Sequence, residues 1–190
     1  MNLKNKFNNI IFENIKSSDD ENKFKILEIR NEEAIRKNMF NSNLITKIEH
    51  KNWLKSIVKT TKKFFYSIKF EDKIVGGLGL NLLDEINSEF DWSFYITQND
   101  KLFGLGSLVE LKALDYLFLN YKIKILFCYV LKKNPQVLKL HKKFGFLETN
   151  FEKRFLMPKN ILPSNVSFLC LNKDQWNIKK KLIYRKLIKS

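Results

Sequence analysis

Two neighbouring segments decide how this chain is read: Asp91-Trp92-Ser93-Phe94-Tyr95-Ile96 and, after a short loop, Lys101-Leu102-Phe103-Gly104-Leu105-Gly106-Ser107. The first is aromatic and apolar over a strand's length. The second opens a long helical pattern with two glycines at alternate positions, which let backbone approach a ligand closely. The first-turn N–H groups of a helix have no partners inside it, and the helix dipole attracts negative charge to them. Backbone amides of Gly104, Leu105, Gly106 and Ser107 could therefore hold a pyrophosphate, with Lys101, Leu102 and Phe103 leading into the turn. A plain tight turn is the alternative. A dinucleotide-binding loop would place a third glycine where Val109 stands, and a P-loop would need Gly-Lys-Ser/Thr. Neither pattern is present.

Working outward, Glu89–Ile96 is the last of three strands expected from aromatic and β-branched runs, the others being Phe64–Phe70 and Ile74–Leu83. Breaks at Glu71-Asp72 and Asp84-Glu85 fit an antiparallel meander. Upstream, Ile10–Ile15 reads as a strand. Ser18-Asp19-Asp20-Glu21 has capping-box spacing for a helix running to Arg30, and a second helical segment is expected over Glu32–Phe40. Thr46-Lys47-Ile48-Glu49 repeats the box for a helix through Val58. Downstream, Gly104–Asn120 is a helix and Ile123–Leu131 is a near-continuous apolar strand, as expected for one covered on both faces. Asn134–Phe144 is a helix closed by Gly145 at C′, and Val166–Leu171 a final strand. This order gives an α+β class with a mixed central sheet flanked by helices. One domain over 1–176 is expected, followed by a basic tail over 177–190 that could form an amphipathic helix or a solvated face.

The chain has 190 residues, 44% of them hydrophobic, enough for one core. Its formal charge of +15 comes from 35 Lys and Arg against 20 Asp and Glu, and only Arg30, Arg36, Arg154 and Arg185 are arginines. Base readout and bidentate phosphate contacts favour arginine, so scattered lysine argues against a nucleic-acid partner. A basic field still gathers small polyanions. No long uncharged apolar run exists, so a membrane partner is not expected and a cytoplasmic location is. Cys128 and Cys170 lack metal-ligand spacing and are expected as buried thiols, with no metal site. A homodimer stays open.

The spacing of Lys101-x-x-Gly104-x-Gly106 resembles the acyl-CoA signature of the GNAT superfamily, with lysine where glutamine or arginine is usual. Asn134, His141 and Phe144-Gly145-Phe146 resemble that family's following segment. The resemblance implies the GNAT fold, acetyl-CoA as donor, and a splayed strand pair receiving its pantetheine near Phe94 and Ile96. It implies that a backbone N–H at Phe94 or Tyr95 polarises the thioester carbonyl. His141 stands where many relatives carry a tyrosine as acid to the leaving thiolate, with Tyr95 or water as the alternative donor. Asn134 and His141 would also touch the coenzyme.

The N-terminal third, with Arg30-Asn31, Met39-Phe40-Asn41, His50 and Trp53, resembles the N-acetyltransferases of nucleotide-sugar pathways. That implies an amino-sugar nucleotide partner of the UDP-4-amino-4,6-dideoxy-N-acetyl-β-L-altrosamine type, from the pseudaminic acid route of flagellin glycosylation. In this resemblance Trp176 matches a tryptophan near the end of the last strand. Arg30 would supply a rigid fork to a diphosphate or uracil, His50 a hydrogen bond, and Met39, Phe40 and Trp53 an apolar wall, with Asn81 and Tyr95 nearby. Met39, Phe40 and Trp53 could equally be core. Protein N-termini or polyamines are rival acceptors, the latter favoured by the close spacing of Asp84, Glu85, Glu89 and Asp91. A non-catalytic acetyl-CoA-binding module is a further rival.

Overall fold

A computed structural model describes residues 2–98, 104–150 and 163–188. Its seven strands are β1 (Ile10–Asn14), β2 (Lys63–Phe70), β3 (Lys73–Asp84), β4 (Glu89–Ile96), β5 (Ile125–Leu131), β6 (Leu147–Glu148) and β7 (Val166–Asn172), ordered β1-β2-β3-β4-β5-β7-β6. The first four form an antiparallel meander, β4 and β5 are parallel, and β5, β7 and β6 are again antiparallel. A parallel pair needs a crossover. Here α5 (Leu105–Asn120) supplies it.

Helices cover both faces, as the α+β expectation requires. On one face α5 packs with α1 (Leu3–Asn8), α6 (Pro135–Lys143) and α7 (Lys173–Ile188) over the main core, which includes Trp92, Leu108, Leu111, Leu114, Phe144 and Trp176. The other face carries α2 (Asp20–Asn31), α3 (Glu33–Arg36) and α4 (Lys47–Val58), packed through Ile26, Ile29, Ile35 and Ile57 against Phe65 and Ile74. β5 is apolar throughout because both its faces are covered.

Helix starts follow local chemistry. The Thr46/Glu49 capping box forms in full, with the Thr46 Oγ1 accepting from the Glu49 N–H at 3.2 Å and the Glu49 carboxylate from the Thr46 N–H at 2.7 Å. The box expected at Ser18 does not form. Asp19 is the cap and accepts from the Asn22 N–H at 2.7 Å, while Ser18 donates to the Asn14 carbonyl at 3.3 Å. An anionic acceptor at a helix N-terminus is favoured over a hydroxyl by the dipole.

Other differences are tertiary in origin. The second helical segment shortens to Glu33–Arg36 because the chain beyond it is pinned from α2: Arg30 Nη2 donates to the Asn41 carbonyl at 2.9 Å, and Asn31 exchanges two 2.8 Å hydrogen bonds with the Ile45 backbone. α1, β6 and a 3-10 turn over Pro163–Asn165 were not foreseen. Asn2 caps α1, and Lys112 Nζ ties it down by donating to the Phe7 carbonyl; β6 has only two residues and no pattern to betray it. The boundary expected at 176/177 falls inside α7. Trp176 lies in that helix rather than near the end of β7, with Nε1 donating to Asp115 Oδ1 at 3.1 Å. As far as Ile188 the basic tail continues α7, with Ile183 and Ile188 turned into the core and Ile178 and Leu182 exposed. Gly145 takes the expected left-handed C′ conformation, φ 99°. Among the described residues no helix is long and apolar enough to cross a membrane.

Candidate active site

The parallel pair β4/β5 is joined for three residues only: Glu89↔Ile125, Phe90↔Leu126 and Asp91↔Phe127. Beyond them both strands continue, so a gap opens in the middle of the sheet. A cavity of about 900 Å³ occupies it, lined by 92–98 on one side and 128–131 on the other. That volume suits a sizeable ligand. On the β3 side β4 is fully paired through Gly76↔Ile96, and the Thr97 N–H donates to the Val75 carbonyl at 2.7 Å. Backbone groups alternate direction along a strand, so the Tyr95 N–H also turns to β3 while those of Phe94 and Ile96 face the gap. Of the Phe94 and Tyr95 N–H groups, only that of Phe94 therefore faces the gap.

At the mouth of the gap stands the N-terminus of α5. Gly104 is its N-cap in a left-handed conformation, φ 78°, and no side chain caps the first turn. A Cβ built on Gly104 would meet nothing within 4 Å, whereas one on Gly106 would touch Ile96 Cδ1 at 3.8 Å. The first turn of α5 thus lies, without a side-chain cap, beside the cavity. Gly106 and Gly104 both line it. Lys101, Leu102 and Phe103 lie outside the described residues, and the side chain of Ser107 is not among the lining groups.

Strand alternation then assigns each side chain to a face. Trp92, Phe94 and Ile96 point to the α5/α6 side, where His141 of α6 completes an aromatic group with ring centroids 5.6 Å from Trp92 and 6.2 Å from Phe94. His141 is 5% exposed, and its Nδ1 lies 2.8 Å from Oε1 of Glu110, which has no exposed surface at all. Burial pushes the Glu110 carboxyl up, and His141 opposes the shift. Asn134 lines the cavity too, but its Oδ1 is engaged in capping α6, accepting from the Val137 N–H at 3.4 Å. Cys128 lies in the same wall as a buried free thiol, and Cys170 is half-buried.

On the opposite face Tyr95 joins the α2–α4 cluster. Gly77 makes room for it, since a Cβ there would lie 2.9 Å from the Tyr95 hydroxyl and 2.3 Å from Phe65. Burial pushes the Tyr95 phenol up, with the nearby Arg30 opposing, so the phenol keeps its proton. Arg30 lines the cavity with its Nη1 buried and without a partner among the described residues. Met39 and Phe40 line it as well, Phe40 against Tyr129 at 5.0 Å between centroids.

A family model described as "Acetyltransferase (GNAT) domain" matches residues 15–161. The chain belongs to the GNAT acetyltransferase family. It is accordingly an acetyl-CoA-dependent N-acetyltransferase. Solved GNAT structures agree in fold. Spermidine N-acetyltransferase from Vibrio cholerae, in complex with CoA and spermine, superposes with a TM-score of 0.74 at 14% identity, covering 90% of this chain and 99% of that one. Campylobacter jejuni N-acetyltransferase PseH gives 0.64 at 19% identity over 87% and 99%. Its complex with acetyl coenzyme A gives 0.63 at 18% over 86% and 99%. No curated protein matches the sequence significantly.

Three residues expected at the GNAT site lie elsewhere. His50 is 4% exposed in α4, its Nε2 donates to the Lys23 carbonyl at 2.8 Å, and it stacks on Trp53. Trp53, partly buried, in turn meets Phe65 edge-on at 4.8 Å against the α2–α4 cluster. Asn81 pairs with Asp91 across β3/β4, and its side chain is a hydrogen-bond partner of that buried carboxyl. Glu110 went unnoticed. Its signal was there: a carboxylate amid Leu108, Val109 and Leu111, on the stretch of α5 that the sheet covers.

Proposed function

We propose that the acceptor is the primary amine of a nucleotide-linked amino sugar, of the pseudaminic acid precursor type. The observation that carries this reading is the charge of the cavity. Among the described residues its lining holds Arg30 and no carboxylate. A spermidine site needs anions to compensate two or three ammonium groups. Here the acidic group near β4 is used otherwise: Asp84 accepts from Asn87 in the turn, and Glu89 and Asp91 are buried where β4 and β5 are still paired. Glu32, whose partner Thr97 lines the cavity, accepts that hydroxyl at 2.7 Å.

In this reading the α5 turn, Gly104 to Ser107, holds the coenzyme pyrophosphate, and Lys101 to Phe103 lead into it. Ile96 and Phe94 flank the pantetheine, and the Phe94 N–H polarises the thioester carbonyl. Arg30 Nη1 receives a diphosphate or uracil oxygen of the acceptor, a charge-assisted bond that a desolvated guanidinium makes well. Met39, Phe40 and Tyr129 form the apolar wall for a deoxy sugar or base. The two substrates approach from opposite faces of the sheet and meet in the gap.

The test is a comparison of initial rates with acetyl-CoA and three amines: a UDP-linked 4-amino-6-deoxy sugar, spermidine, and a peptide with a free N-terminus. The sugar nucleotide should be turned over with a kcat/KM at least about a hundredfold above the others, the discrimination a site built for polar partners achieves. Preferential turnover of spermidine or of the peptide overturns the acceptor assignment.

A further inference from the structure

We infer that Glu110 and His141 form a proton-shuttling dyad, in which His141 carries one proton from the attacking amine to the departing sulfur and Glu110 positions it. The inference rests on acetyl transfer within this cavity and not on which amine is the acceptor.

The geometry begins with an apparent excess. Glu110 sits with no exposed surface on an apolar helix face, and its Oε2 has no partner among the described residues. Burying a carboxylate costs several kcal/mol, and a well-packed apolar side chain serves a core better. The contact that accounts for it is the 2.8 Å hydrogen bond to His141 Nδ1. His141 lines the cavity, so with Nδ1 committed to Glu110 the ring offers Nε2 to a ligand. A carboxylate behind the imidazole holds the Nδ1–H tautomer and stabilises the imidazolium that forms during reaction.

The chemistry balances with one imidazole. The amine nitrogen forms a bond to the thioester carbonyl carbon, and its surplus proton passes to His141 Nε2. The C–S bond then breaks, its electron pair leaves on sulfur, and Nε2 returns the proton to that thiolate. Amide and free thiol result, with His141 neutral again. Tyr95 cannot accept the amine's proton, because burial pushes its phenol up and the oxygen already holds a proton.

Groups facing the dyad are few. Trp92, Phe94 and Phe146 surround the ring and are uncharged at working pH. From β5 the Cys128 thiol is pushed well up by burial and by Glu110, which keeps it protonated, and the Asp91 carboxyl acts on Cys128 from β4. Burial of Glu110 opens one competing arrangement: a protonated carboxyl donating to Nδ1, which would leave Nε2–H and no base.

Two measurements decide. The first is the imidazole ¹⁵N spectrum of the whole protein labelled at histidine. The chain has two histidines, so a His141→Phe comparison assigns the signal. Nδ1 should be protonated at neutral pH; an unprotonated Nδ1 overturns the dyad without any acceptor being needed. The second is kcat against pH for Glu110→Gln, with folding checked by its thermal transition and acetyl-CoA affinity. Gln keeps a hydrogen-bond acceptor but removes the charge, so kcat should fall roughly a hundredfold and the acidic limb should move to lower pH. The KM for acetyl-CoA should stay put. His141→Phe should lose at least as much, and Glu110→Gln combined with it should add nothing further, as expected of groups acting as a unit. An unmoved limb, or additive losses in the double variant, overturns the role of Glu110.

Discussion

The two faces of the central sheet differ in how they are built and in what they show. On the α5/α6 face everything near the gap comes from one stretch of chain, 92–146, in which strand, turn, helix, strand and helix follow one another at fixed spacing. The α2–α4 face draws Arg30, Met39 and Phe40 from segments that reach β4 and β5 only after the chain has crossed the whole meander. A local stretch writes its geometry into the sequence, because glycine and cap positions depend on near neighbours. A face assembled from distant segments does not.

If the faces divide as donor and acceptor halves, single substitutions should separate them. Gly104→Val should do the most damage, and to the donor half alone. A β-branched residue is strained at φ 78°, and the open space beside Gly104 is where phosphate would approach. The dissociation constant for acetyl-CoA, measured by calorimetry, should rise by about a hundredfold or more, the equivalent of about 3 kcal/mol. A near-normal affinity removes the turn from the donor site.

Arg30→Ala should strike the other half. Loss of a charge-assisted hydrogen bond of about 1.5–3 kcal/mol corresponds to a rise in acceptor KM of roughly tenfold to a hundredfold. The KM for acetyl-CoA should be unchanged. Arg30 also ties the Asn41 carbonyl, so Arg30→Lys sharpens the result: an ammonium can hold that carbonyl but cannot present a second planar donor. Persistence of the high KM in the lysine variant locates the effect on the substrate, and full recovery reduces Arg30 to a loop tether.

The same contrast explains what the sequence made legible. Gly104 and Gly106 could be placed from spacing, Asn134 and His141 from the resemblance to the family, and all four line the cavity. His50 and Trp53 also stood at plausible spacing, yet helical periodicity places a residue on a face without saying whether that face meets a cavity or a core. α4 packs on β2 away from the cavity, and both side chains are engaged there. Asn81 was lost for a related reason. Its partner Asp91 needed a hydrogen bond once buried, a demand set by register across β3/β4. Glu110 was the reverse case, a residue whose spacing looked ordinary for a helix and whose meaning depends on α6 arriving 31 residues later.

His50 offers the smallest effect and the cleanest control, because it lies on the acceptor side of the sheet but away from the cavity. Burial pushes its imidazole down, with the hydrogen bond to the Lys23 carbonyl opposing. A histidine depressed in the folded state contributes stability above its unfolded value, near 6.5, and loses it as pH falls below that point, because the unfolded chain then binds a proton the folded chain resists. The melting temperature should therefore drop between pH 7.5 and 5.5 by a few degrees more in the parent than in His50→Gln. Gln keeps a donor for the Lys23 carbonyl and cannot charge, so the variant isolates the titration from the hydrogen bond. Both KM values should be unaltered at neutral pH. A raised acceptor KM in His50→Gln would return this residue to the site and blur the boundary between the acceptor half and the core beneath it.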